Sequence, residues 1–434
     1  MCQDNVCRPC QRHDECASGV CIKDESAEIY GLYRGSCVPV SQVLAVSSTA
    51  CSPTGPVYCR PADAIKRLGQ QVENTVRYRY LVFKSGGIDA DFSEIQLGLE
   101  QAQSGLDLHL IAAPSADDPV TQMDPARAVH IVGSTNPARR GFVVSGNVRV
   151  TLEGFFIHDA SIGVDCSGAA AVDTQVRVLR SWLTSNSTAL AASSKCVLKV
   201  DDSWVGARAN VKQGSLGNNG PVAVINRADF QFSNTVFANN GNDGLMPEAG
   251  FGGVKIFGTL GGSQTSRIVN SIFYQNKVTL TKNMPLQRAS AIWCDRTIDK
   301  PLVVLNTLFL QGDFYRADAS AITTDCGEAQ NGVLVSGVLA DDADTNRRAG
   351  YQPDQRATRE DLFTMAQGSA LDFTPRGAPQ SDKQQRHQGG GQASVPVTMA
   401  DGSVLTIPAP ERDLNGVARP KTGKVAIGPL EPQP

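Results

Sequence analysis

The chain has 434 residues, with 40 Lys and Arg against 43 Asp and Glu and a formal net charge of −3. That balance leaves no electrostatic footprint for nucleic acid or an anionic membrane surface. No apolar run approaches the roughly 18 residues needed to span a bilayer. Its length allows a large core and more than one module.

In chain order, the first signal is cysteine. Of 12 cysteines, Cys2, Cys7, Cys10, Cys16, Cys21 and Cys37 crowd the N-terminus. That density reads as a disulfide framework in an oxidising compartment. Zinc needs paired knuckles, and only Cys7-Arg8-Pro9-Cys10 has the spacing. Cys51 and Cys59 are expected to close a local loop, and residues 1–60 to form a small disulfide-rich module. No signal peptide is visible, so a mature form carrying an added Met is expected. Cys2 after Met1 allows a lipidated anchor as the alternative to a third disulfide pair.

Residues 92–104 are expected to form a helix ended by Gly105, plugging the structure that follows. A strand, Leu108–Ala112, comes next. Then a phrase recurs: Val269-Asn270-Ser271-Ile272-Phe273, Leu305-Asn306-Thr307-Leu308-Phe309 and Ser233-Asn234-Thr235-Val236-Phe237. Looser copies place the small residue at 154, 181, 203, 235, 271, 307 and 337, in steps of 27, 22, 32, 36, 36 and 30 residues. Units this short must stack to bury their apolar faces. Each unit holds about three strand-length pieces separated by Gly, Asn, Ser and Thr. Variable unit length suits a right-handed single-stranded parallel β-helix, in which extra residues bulge from one turn. The expected fold is therefore an all-β solenoid over residues 80–345. Residues 346–434 follow as a tail that returns to pack on it, with a Gln/Gly-rich exposed linker at 376–394.

Stacked strands sit about 4.8 Å apart. Asn234, Asn270 and Asn306 are then expected to form an amide ladder, with Asn270 bonded to both neighbours. Phe237, Phe273 and Phe309 should stack inside. The same spacing suits disulfides across successive units, which predicts Cys294–Cys326 and Cys166–Cys196.

Four features together resemble a known group: the helix expected at 92–104, the strand ending at Ala113-Pro114, then Val129-His130-Ile131-Val132-Gly133, then units carrying the NS-[IL]-F phrase. They resemble secreted bacterial right-handed β-helix proteins of the pectin-lyase-like superfamily. Asp413–Arg419 followed by Ala426–Glu431 is similar to the closing phrase of choice-of-anchor β-helix proteins. The segment from Cys10 to Cys21 resembles small Cys-rich modules placed before secreted domains. The resemblance speaks for fold rather than activity. It implies an extracellular or cell-surface location and a polysaccharide or cell-surface glycan as partner, with no nucleic acid, no transmembrane segment and a monomeric state.

Polysaccharide lyases of this fold use Ca²⁺ held by carboxylates with an Arg or Lys as base. On that model the metal candidates are Asp165, Asp201 and Asp202, with Asp243 and Asp295 as further carboxylates. The base candidates are Lys255, Lys277, Arg288 and Arg296, and Asp295 joins Lys255, Arg288 and Arg296 in a candidate catalytic set. Asn242, Asp243 and His158 are candidate carbohydrate contacts. Asp341, Asp342 and Asp344 form an acidic loop that also suits calcium. Each has a plainer reading as a turn or solvated residue. The Gly-His-Gly and Arg-x-Lys elements of glycoside hydrolases of this fold are absent, as are metal-binding His pairs, nucleophile elbows and phosphate loops. The leading expectation is a non-catalytic glycan-binding protein with no fixed cofactor. A Ca²⁺-dependent lyase or glycoside hydrolase is the rival, and a protein-binding adhesin is the third class.

Overall fold

The structure is a computed structural model. It describes residues 9–241 apart from 24–33, 48–50, 53–54, 74–75, 85–93, 114, 136–137, 169–173 and 209–216. Beyond them it describes 252–257, 265–274, 276, 291–294, 302–310, 333–336, 339–340, 362–363, 371–375, 379, 381–398 and 402–432, with 2–3 and 6–7 at the N-terminus.

Three long parallel sheets of eleven, eight and seven strands dominate the described residues. From Ile95 to Leu310 the chain visits the seven-, eleven- and eight-stranded sheets in fixed rotation. Each visit lays a strand parallel to the one before. Few helices occur, and the arrangement is consistent with a β-helix solenoid. One side-chain set of every strand points into a shared core of Leu, Val, Ile and Phe. Two strands from the first sixty residues, Val43–Ser47 and Val57–Tyr58, extend the eleven-stranded sheet at its N-terminal edge.

The expected helix at 92–104 is not there. Ile95–Leu97 is a strand paired with Phe142–Val144, and only a short 3-10 turn, Gln101–Gln103, follows. Ile95 and Leu97 are two residues apart, so both enter the core of a strand, while Leu99 is exposed. A helix does cover the first strands, but it lies upstream. Pro61–Arg67 has Pro at its first turn and buries Ala64 and Ile65, with Leu68 just beyond, against the common core.

Strand register moves the repeat by one residue at its ends. Phe156 faces Trp182, and Leu308 faces Leu339. Gly154 therefore matches Arg180, not Ser181. The shared position is a left-handed bend, occupied by Gly154, Arg180, Asp202, Asn234, Asn270 and Asn306, all with φ between 46° and 79°. Gly, Asn and Asp tolerate that backbone best. At Gly154 a Cβ would lie 2.5 Å from the Ala116 backbone. The residue after the bend is a buried hydroxyl at Ser181, Ser203, Thr235, Ser271 and Thr307. Each donates to the carbonyl two residues back. Ser181, Ser203 and Ser271 also accept a backbone N–H from the preceding circuit.

The phenylalanine column forms as expected. Ring centroids are 4.6 Å apart for Phe237–Phe273 and 5.1 Å for Phe273–Phe309, both stacked. The amide ladder forms elsewhere. Asn186, Asn218, Asn240 and Asn276, at the bend after the eight-stranded sheet, are buried and linked in series. Each Nδ2 donates to the next Oδ1 at 2.8–3.0 Å. Each also donates to a carbonyl of an earlier circuit.

Asn270 is fully buried but bonds only one neighbour in its column, Asn306, at 3.2 Å. The C-terminal tail replaces the other rung. Asn270 donates to the carbonyls of Ala426 and Gly428, and Arg419 bridges Asn234 Oδ1 to Gly428 O. Arg419 is itself neutralised by Glu431 in a buried pair. The sequence phrases at 413–419 and 426–431 thus form a clip that reads the asparagine column. Of the expected exposed linker at 376–394, the described residues 381–394 differ. Asp382–Gly389 is a helix capped by Ser381. His387 is buried against Phe363, and burial pushes its pKa down to about 4.

Asn218→Ala should remove the acceptor of the Asn186 N–H and of one Asn186 amide hydrogen, and the donor to Leu183 O and Asn240 Oδ1, in a buried site. A loss of about 1–3 kcal/mol is expected from buried polar groups left unpaired. A chemical-denaturation midpoint equal to that of the wild type would contradict the ladder.

Candidate functional site

The outer face of the eleven-stranded sheet is apolar at both ends and polar between. At one end Val20, Ile22 and Val38 of the Cys-rich segment pack on Tyr80, Val82 and Ile111. Disulfides Cys10–Cys21 and Cys16–Cys37 hold that segment. At the other end the hairpin of Ser394–Thr398 and Val404–Pro408 places Val395, Val397 and Ile407 on Val269, Val303 and Leu305. Between the two covers lies a cleft of about 510 Å³.

Its floor follows from strand alternation. Register aligns Tyr80, His109, Thr151, Arg177, Lys199, Gln231 and Arg267 in one column, of which Tyr80, His109, Thr151, Arg177 and Arg267 line the cleft. The column two residues on carries Ile111, Glu153, Leu179, Asp201, Ser233 and Val269. The bend column adds Arg180, Asp202 and Asn234 to the lining.

Glu153 is the buried anchor. Arg180 Nη2 and His13 Nε2 both reach its Oε1, the latter at 3.1 Å, and Lys23 Nζ lies 3.6 Å away. Burial opposes ionisation of Glu153, but Arg180, His13 and Lys23 outweigh it and hold the carboxyl well below its ordinary range. His13 Nδ1 accepts the Cys21 N–H, so the ring proton sits on Nε2 and is donated to Glu153. Asp117 completes the attachment by accepting the His13 and Asp14 N–H groups and Lys23. Burial disfavours its charge, yet Lys23 and the His13 N–H leave its pKa lowered.

The next carboxylates are engaged differently. Asp201 accepts Arg177 Nε at 2.6 Å and the Ser233 hydroxyl. Asp202 accepts Asn234 Nδ2 at 3.0 Å. Burial pushes Asp202 up to about 6, against the pull of Arg180 and with Asp201 adding to the rise.

The sequence candidates scatter. Of the proposed calcium set, Asp201 and Asp202 line the cleft, but Asp165 lies on the seven-stranded sheet and is held by Arg140 at 2.8 Å. The three do not form one ligand set. Lys255 shares the outer row of Asp165, three strands further on. It is buried with its ammonium 4.6 Å from the Phe257 ring centroid. His158 is on the eight-stranded sheet, bonded to His130 at 2.9 Å and Asp159 at 2.7 Å. Asn242, Asp243, Lys277, Arg288, Asp295, Arg296, Asp341, Asp342 and Asp344 lie outside the described residues, as does Cys326, so Cys294–Cys326 does too. Cys166–Cys196 and Cys51–Cys59 are bonded, with Cα atoms 6.0 and 5.0 Å apart. Among the described residues the only cluster of metal-type ligands is Cys10, Cys16 and Cys37, all in disulfides.

Glu153, Arg177, Arg180, Lys199 and Arg267 went unnoticed in the sequence because they come from separate circuits. The alternation in Gln175–Leu179 and Val197–Asp201 already turns Arg177 and Lys199 outward. Their alignment needed the register.

No protein-family model matches the chain, and no curated protein and no solved structure matches it. Among the described residues, no helix is long and apolar enough to cross a membrane.

The two buried carboxyls should leave opposite marks on stability. Unfolded Glu titrates near 4.3 and folded Glu153 lower, so the unfolded chain takes up the proton first as pH falls. Stability supplied by Glu153 is therefore present above about 4.3 and lost below it. Asp202 binds its proton more readily folded than unfolded, so stability should fall as pH rises from about 3.9 in the unfolded chain toward about 6. Thermal melts across pH should show Glu153→Gln destabilised at pH 7, where Arg180 loses its partner, with a flatter acid limb. Asp202→Asn should lack the decline between those values. Melting profiles parallel to wild type in both variants would contradict these assignments.

Proposed function

We propose that the protein is an exported, monomeric right-handed parallel β-helix of the pectin-lyase-like kind. It binds an extended polysaccharide in the cleft between the Cys-rich segment and the C-terminal hairpin, without cleaving it. Parallel crossovers are right-handed in about 98% of cases, which supports the hand. Disulfides in both the N-terminal segment and the sheet stack support an oxidising, extracellular or surface location.

The observation that carries the binding reading is the column from Tyr80 to Arg267. Its members that line the cleft offer aromatic, imidazole, hydroxyl and guanidinium groups on strands stacked about 4.8 Å apart, in a cleft walled on both sides. Pre-formed polar groups in a concave site are what ligand recognition requires. The absence of cleavage follows from how the carboxylates are spent. Glu153 is held by Arg180, His13 and Lys23, and Asp201 by Arg177 and Ser233. A base must be able to give and take a proton.

One feature favours the catalytic alternative. Asp202, at about 6, is the carboxyl in the cleft best placed to exchange a proton near neutrality.

The test is a glycan array with acidic and neutral polysaccharides. It is followed by incubation with pectate, alginate and chondroitin plus Ca²⁺, monitored by unsaturated-product absorbance and reducing ends. Binding without product is expected, and Tyr80→Ala should weaken it several-fold. Sustained turnover abolished by Asp202→Asn would move the assignment to a lyase or hydrolase. Binding to no glycan, with capture of a protein ligand instead, would favour an adhesin.

A further inference from the structure

The cleft is basic although the chain as a whole is acidic. Six cationic side chains line it (Lys23, Arg34, Arg177, Arg180, Arg267 and Arg412) against the carboxylates of Glu153, Asp201, Asp202 and Glu411. Three of the cations, Lys23, Arg177 and Arg180, are tied to Glu153 and Asp201. Arg267 is not. Its guanidinium donates from Nη2 to the neutral Gln231 Oε1 at 3.1 Å, and no carboxylate lies within salt-bridge distance among the described residues. It is half-buried at the lip of the hairpin, and burial lowers its pKa while Asp201 acts only through space.

The placement of Arg267 is costly. Arg177, Lys199, Gln231 and Arg267 occupy consecutive rungs of one parallel column. Arg177 and Lys199 are like charges on adjacent strands and repel, whereas Arg267 has the neutral Gln231 and Val303 beside it. A desolvated cation without a counter-charge is unfavourable. Asp201 relieves Arg177 at one end of the column, and no such group relieves Arg267 at the other. A planar fork with several unused donors, facing an open cleft, is suited to bidentate capture of an oxyanion.

We propose that Arg267, oriented by Gln231, forms a metal-independent subsite for an anionic group, the carboxylate or sulfate ester of a sugar bound in the cleft. The proposal rests on the reading of the cleft as the glycan site. It assigns the charge preference to the eleven-stranded sheet and to arginine rather than to a bound cation. The Gln231 amide fixes one edge of the guanidinium and leaves the rest for the ligand.

The experiment is isothermal titration of the full chain in EDTA with three size-matched oligosaccharides. One is a galacturonate oligomer, one a sulfated galactan oligomer and one a neutral galactan oligomer. An anionic oligomer should bind at least ten-fold tighter than the neutral one, with affinity falling as salt rises. Arg267→Met should erase that preference, bringing the anionic oligomers down to the affinity of the neutral one. Arg267→Lys, which keeps charge but loses the fork, should recover only part of it and guards against misfolding, as does an unchanged melt. The galacturonate and sulfated arms show which oxyanion the subsite takes. Equal binding of neutral and anionic oligomers, anionic binding that vanishes in EDTA, or an Arg267→Met variant indistinguishable from wild type would overturn the subsite and leave the glycan reading intact. Failure of all three oligomers to bind would overturn both.

Discussion

One left-handed residue at the bend between the eleven- and eight-stranded sheets sets the geometry on which everything else depends. A non-glycine residue there carries a steric cost. The hydroxyl that follows offsets it by donating to its own strand and, at Ser181, Ser203 and Ser271, by accepting from the strand of the circuit before. Because the bend repeats at one place in six successive circuits, from Gly154 to Asn306, the strands on both sides stay in register. Register keeps Phe237, Phe273 and Phe309 in contact inside. It also keeps Arg177, Lys199, Gln231 and Arg267 aligned outside.

The same bend serves as a docking rail. Asparagines that adopt left-handed backbone readily turn their amides outward, where a tail can bond them. Arg419 and Gly428 enter between Asn234 and Asn270 and take the place of the rung expected between those two amides. The uninterrupted amide ladder lies at another bend, in Asn186, Asn218, Asn240 and Asn276, where the first three spend both amide hydrogens inside the stack. The tail therefore attaches where the column still has bonding capacity.

A stack of parallel strands has a uniform outer face unless something differentiates it. Here the chain covers that face with apolar contacts at each end and leaves a charged centre. Glu153 links the two roles. Its contacts with His13 and Lys23 fasten the Cys-rich segment, and its contact with Arg180 sets one wall of the cleft. The covers limit the cleft's length and lower the polarity around its charges, which makes an unmatched guanidinium such as Arg267 matter more than it would on an open surface.

Local patterns were legible in the sequence because they depend on neighbours a few residues away. The Asn-Ser/Thr-aliphatic-Phe phrase marked the bend, and the spacing of its copies marked the stacking. Cys166 and Cys196, thirty residues apart, could be paired because stacked strands fix the distance between them. Ile95 and Leu97 alternated with period two, although the stretch around them read as a helix. Alignment between circuits was not legible. A one-residue shift at Gly154 leaves the local pattern intact and changes every cross-strand partner. The Arg177–Arg267 column, the Glu153 cluster with His13, and the Arg419 clip join residues from about 90 to 185 positions apart. Only tertiary packing brings such groups together, because the charge that makes each one useful is supplied by a different circuit of the chain.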